Sequence, residues 1–86
     1  MTRESIFELI NGEREYQDNK WGAEFDLLNT PNDWVSYITS YTSKAVTLPW
    51  DRETFRKNIL KVATLAVAVL ERDTYAPRHY DKQERL

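Results

Sequence analysis

Val62-Ala63-Thr64-Leu65-Ala66-Val67-Ala68-Val69-Leu70 contains no charged residue, and wound as a helix it presents an apolar surface on every side. The helical period is already set upstream, where Phe55, Ile59 and Val62 share one side while Arg56, Lys57 and Lys61 fall elsewhere. The β-branched residues also suit a strand. The alanines and the unbroken spacing from Arg52 favour a helix capped by Asp51 and running to about residue 72. A helix that is apolar all round needs neighbours all round. Two more helices from one short chain cannot supply them. The stretch therefore predicts an all-α, three-helix chain that associates as an oligomeric helical bundle, with the alanines permitting close approach. A glutamate at Ala66 or Ala68 is expected to dissociate or unfold it, because a buried unpaired charge is costly.

Working outward, Thr30-Pro31-Asn32-Asp33 reads as a helix start, with Thr30 as N-cap, Pro31 in the first helical position and Asp33 at the positive end of the dipole. This second helix extends to about residue 46, with Trp34, Tyr37 or Ile38, Tyr41 and Ala45 at helical spacing. Its Ser and β-branched content is poor for an isolated helix, so packing must hold it. A first helix is predicted over about 3–19. Thr2 or Ser5 can cap it, and Ser5-x-x-Glu8 has capping-box spacing. Ile6, Leu9, Ile10 and Tyr16 form its apolar stripe, and Gly12 suggests close helix packing. Gly22 ends the pattern, and residues 23–30 read as loop. Residues 1–72 then make one helical domain, and 73–86 an aromatic and charged tail carrying Tyr75, His79 and Tyr80.

The chain has 86 residues, which predicts one domain with a modest core. It has no cysteine and a single histidine, so neither disulfides nor a zinc cluster can staple it. Oligomerisation is the remaining common way to enlarge the core. A formal charge of -2 gives no footprint for duplex nucleic acid. No apolar leader or membrane-length run is present, so the expectation is a cytoplasmic protein that does not bind membranes.

Chemistry concentrates in Glu13-Arg14-Glu15-Tyr16-Gln17-Asp18-Asn19-Lys20-Trp21-Gly22. Arg14 and Gln17 share a helix face, and Lys20 and Trp21 follow at its end. Arg and Lys suit phosphate, Gln a base or ribose edge, and Trp stacking. Equally, Trp21 can plug the core while Arg14 and Lys20 pair with Asp18 or Asp26. Lys44 and Lys61 lie beside apolar positions, where a lysine either snorkels to water or faces a polar cleft. Glu4, Glu8, Glu15 and Glu84 read as solvated helix faces. No nucleophile–base arrangement, phosphate loop or metal cluster is evident, so no catalytic residue, metal or cofactor is assigned.

Glu13-Arg14-x-x-Gln17-Asp18-x-Lys20-Trp21-Gly22, Trp34, Phe55-Arg56 and Val62-Ala63-x-Leu65-Ala66-Val67-Ala68 together resemble the small MazG-like proteins of phage genomes, within the all-α nucleoside triphosphate pyrophosphohydrolase superfamily. The resemblance covers residues 10–72 and implies Mg²⁺-dependent hydrolysis through a Glu-Glu-x-x-Glu motif and a Glu-x-x-Asp motif. The matching positions are Ser40-Tyr41-x-x-Lys44 and Asn58-x-x-Lys61. Every carboxylate is absent there, and two positions hold ammonium groups that repel Mg²⁺. The resemblance thus implies the fold without the chemistry, and Lys44 and Lys61 become candidates to bind phosphate directly.

The reading that follows is a phage-type, non-catalytic MazG-like protein that binds, and by analogy sequesters, a nucleotide or nucleotide-derived signal in phage–host conflict. Arg14, Gln17, Lys20 and Trp21 would form one wall, and Tyr41, Lys44 and Lys61 the other. Two alternatives stand beside it: a divergent pyrophosphohydrolase using Glu13, Asp26 or Asp33 for metal, and a protein-binding inhibitor of a host factor. The enzyme requires clustered carboxylates. The ligand binder requires converging cations. The inhibitor requires an exposed aromatic patch without a cleft.

Overall fold

Thr30 caps its helix as the spacing demands. Its hydroxyl accepts from the Asp33 backbone N–H at 3.1 Å, and the Asp33 carboxylate accepts from the Thr30 N–H at 3.0 Å, closing a capping box. In the computed structural model this box opens α2 (Pro31–Ala45), between α1 (Arg3–Leu27) and α3 (Arg52–Glu71). The structure describes residues 1–72, 75 and 76; residues 73–74 and 77–86 and the side chains of Trp21 and 23–27 lie outside that description. The tail with His79, the Trp21 ring and the Asp26 carboxylate are therefore outside the described residues. Among the described residues the fold is all-α, and no helix is long and apolar enough to cross a membrane.

The first helix starts at Arg3 as its sequence reading has it, with Thr2 rather than Ser5 of the two candidate caps, and differs from that reading at its far end. Thr2, outside the helix, accepts from the Ser5 backbone N–H at 3.1 Å. Ser5 therefore lies inside the first turn, and the Ser5–Glu8 box does not form. At the other end Gly22 takes φ 78°, ψ 164°, a conformation open to glycine and strained for other residues. The helix breaks there and resumes, so 23–27 is helical rather than loop. Gly12 is also not a packing glycine, since a Cβ added there would meet nothing within 4 Å.

α3 is the central element. α1 and α2 each pack against it, and among the described residues they do not approach one another. Trp34 and Ala45 on α2 and Thr64 and Ala68 on α3 are buried. The Thr64 hydroxyl donates to the Leu60 carbonyl at 2.8 Å, which permits a polar group at a fully buried position. The rest of the 62–70 stretch is only half-covered, and Leu70 is exposed. The radius of gyration is 15.1 Å, against about 12 Å for a compact chain of this length. Ala68 thus belongs to the core of the single chain, whereas Ala66 and Leu70 do not.

Trp34 is the largest residue of this small core. Trp34→Ala should cost about 3–5 kcal/mol, a large share of the roughly 5–15 kcal/mol total of a small domain. Urea unfolding followed by helical circular dichroism reads this as a collapse of the midpoint.

Candidate functional site

Arg14 and Gln17 share a face, as their spacing requires, and that face turns toward α3 rather than to solvent. The Arg14 side chain is 6% exposed. Its Nε donates to Glu71 Oε1 at 2.9 Å and its Nη2 to Glu71 Oε2 at 3.3 Å, a forked pair across the α1–α3 seam. Nη1 donates to Gln17 Oε1 and Nη2 to Asp18 Oδ1, both at 2.9 Å. These bonds occupy most of what a guanidinium can donate. The bond to Glu71 pushes the Arg14 pKa above its ordinary value against the opposing effect of burial. The same bond holds the Glu71 carboxyl below its ordinary range. Arg72, at the C-cap of α3, reaches the same cluster, its Nη2 3.5 Å from Asp18 Oδ1.

Lys61 is engaged in the same seam. Its Nζ donates to Glu13 Oε2 at 3.0 Å, with both side chains partly covered. Glu13 and Arg14 are sequence neighbours, yet their partners on α3 lie about three turns apart. The two pairs also have opposite polarity, acid-to-base and base-to-acid, which fits one register of α1 on α3 and penalises others.

The remaining cations lie elsewhere. Lys44 is exposed in the last turn of α2, over the Tyr41 ring at 4.8 Å, where a cation also complements the helix C-terminus. Lys20 lies 5.6 Å from the Tyr16 ring centroid on α1. Arg14, Gln17 and Lys61 are thus gathered into the α1–α3 seam, while Tyr41 and Lys44 sit at the far end of α2. Of the carboxylates considered for metal, Glu13 holds Lys61 and Asp33 closes the α2 cap. No group of three or more His, Cys, Asp or Glu that could hold a metal exists among the described residues.

Two features were not singled out in the sequence. The first is the α2–α3 connection, where Val46, Leu48 and Trp50 are 60%, 83% and 54% exposed. The Trp50 ring leans on Phe55 with centroids 5.6 Å apart, which braces the tip. Lys44 and Arg52 flank it. The alternation of large apolar residues around Pro49 was the available signal. The second is a pair of buried donors, Asn29 Nδ2 and Trp34 Nε1, that find no acceptor among the described residues. Asn29 is otherwise well held: its Oδ1 accepts from Tyr37 and its carbonyl from the Ala76 N–H. Comparison with protein-family models, curated proteins and solved structures finds no match for this chain.

The Glu71 carboxyl has a lower pKa folded than unfolded. Its stabilising effect is therefore complete above the unfolded value and lost as pH falls through the folded one. The melting-temperature gap between wild type and Glu71→Gln should be widest near neutrality and close as pH drops below about 4.3, the ordinary glutamate value. A gap that stays constant to pH 3 would assign Glu71 no ionic role.

Proposed function

We propose that this chain is a non-catalytic helical module that binds a protein partner through the apolar tip at residues 46–50. The observation that carries the reading is the division of its surface. Arg14 and Lys61 are spent on internal pairs, whereas Val46, Leu48 and Trp50 stand open to water. Three large exposed apolar residues fall within five positions, a concentration that favours an interaction surface. Trp and Arg at its edge are the residue types that dominate binding energy at interfaces. A phage-type inhibitor of a host factor, suggested by the MazG-like resemblance, fits this surface.

The test is site-specific photocrosslinking from position 48 in producing cells, followed by binding measurements with the purified partner. Trp50→Ala and Leu48→Asp should each weaken that complex by about 2 kcal/mol or more while helicity is retained. Binding that is indifferent to both substitutions would remove the tip from the interface.

A second reading, a nucleotide-derived ligand, is supported by Lys44, which stands exposed over the Tyr41 ring where a phosphate and a stacking base could both find contacts. Nucleotides screened by thermal shift, with and without Mg²⁺, test it. A ligand at about a hundred times its dissociation constant should add roughly 2.7 kcal/mol, and Lys44→Ala should diminish the response if the phosphate lies along α2. Pyrophosphate release with Mg²⁺ or Mn²⁺ should stay at background.

A further inference from the structure

The start of α1 and the first half of α3 leave an open cavity of about 360 Å³ between them. Ile6 and Leu9 line it from α1, and Phe55, Ile59, Leu60 and Ala63 from α3. Its volume lies at the small end of the range for ligand pockets, about 300–1,000 Å³. Its charge is one-sided: Arg56 and Lys57 belong to the lining, and no carboxylate does. Among the described residues neither of these cations forms an ion pair, whereas Lys61, one turn further along α3, is held by Glu13.

We propose that this cavity binds a single-chain amphipathic anion, a fatty-acid-type carboxylate whose chain lies between α1 and α3 and whose head group meets Arg56 and Lys57. The site is separate from the 46–50 tip and does not rest on the function proposed for that tip. Three observations select this ligand. The first is the order of the lining residues. Along α3, Arg56 and Lys57 precede Ile59 and Leu60 by about one turn and Ala63 by about two. Charge therefore stands toward one end of the cavity and apolar surface toward the other. A ligand with a charged head and an apolar chain matches that gradient. A wholly apolar ligand leaves the cations without a counter-charge, and a compact polar anion leaves the apolar walls wet.

The second observation is the sign of the charge. An arginine can meet a carboxylate with two parallel N–H···O bonds, and a lysine beside it adds a point charge. Neutral and cationic amphiphiles gain nothing from either group. The third is size and rigidity. A cavity of this volume accommodates one chain of moderate length rather than the paired long chains of a membrane lipid. Its Phe55 wall is braced by Trp50, the ring centroids 5.6 Å apart, so less ordering is required when the ligand enters.

Decanoate, kept below its micelle-forming concentration, is the probe, followed on the full chain by calorimetry and methyl NMR. It should bind saturably, one molecule per chain, and shift the methyl signals of Ile6, Leu9 and Leu60. 1-Decanol and decyltrimethylammonium should bind about tenfold more weakly or worse. The double variant Arg56→Gln, Lys57→Gln alters two exposed positions and should keep its helical circular dichroism. It should weaken decanoate about tenfold and leave 1-decanol unchanged, a separation that a merely structural effect would not produce. Ala63→Phe should fill the cavity and abolish both; where it does not fold, the double variant decides. Equal affinity for decanoate and 1-decanol, or decanoate binding untouched by the double variant, overturns the anion site. Absent or non-saturable decanoate binding overturns it too, as do shifts confined to the 46–50 tip. Binding to vesicles of anionic phospholipid without saturable decanoate binding assigns the surface to a membrane instead and overturns the small ligand.

Discussion

The forked contact between Arg14 and Glu71 is the constraint on which the arrangement of α1 depends. α1 lies against α3 over a shorter stretch than α2 does, so specific polar bonds weigh more in where it lies. A buried guanidinium must have its donors satisfied: Gln17 and Asp18 on α1 itself take part of them, and the Glu71 carboxylate across the seam takes the rest and ties α1 to the end of α3. The neighbouring Glu13–Lys61 pair adds a second anchor of reversed polarity. Neither pair need contribute much net stability, since desolvation offsets attraction. Their effect is to make other registers worse.

That constraint bears on function because it changes what the conspicuous cations can do. A guanidinium committed to a carboxylate, an amide and a second carboxylate is a structural group, and a phosphate would have to displace those bonds to use it. The same holds for Lys61. With Arg14 and Lys61 turned inward, the exposed large apolar side chains at the braced α2–α3 tip stand out on a surface that is otherwise largely charged.

Much of the local structure was legible in the chain. Thr30, Pro31 and Asp33 act within four residues of one another, so their capping chemistry does not depend on anything distant. Asp51 caps α3 for the same reason, its carboxylate accepting from the Thr54 N–H at 2.9 Å. The apolar run 62–70 announced a helix with more apolar surface than three helices can cover, and the exposed Leu70 agrees with that excess. Gly22 was visible as a break, but a break and an ending look alike in sequence, because both need only a residue that tolerates positive φ.

The sequence by itself therefore determined α2 and α3, their caps and the apolar stretch of α3, since each follows from residues close together along the chain. The tertiary structure alone decided which apolar residues of α3 are covered, and it separated Ala68 in the core from the exposed Leu70 two residues on. It also decided the role of Arg14 and Lys61. Spacing places Arg14 and Gln17 on one face, but whether that face meets a ligand or another helix depends on Glu71, 57 residues away. Such a pairing is fixed by the register of two packed helices, and register is a property of the folded chain rather than of any local stretch.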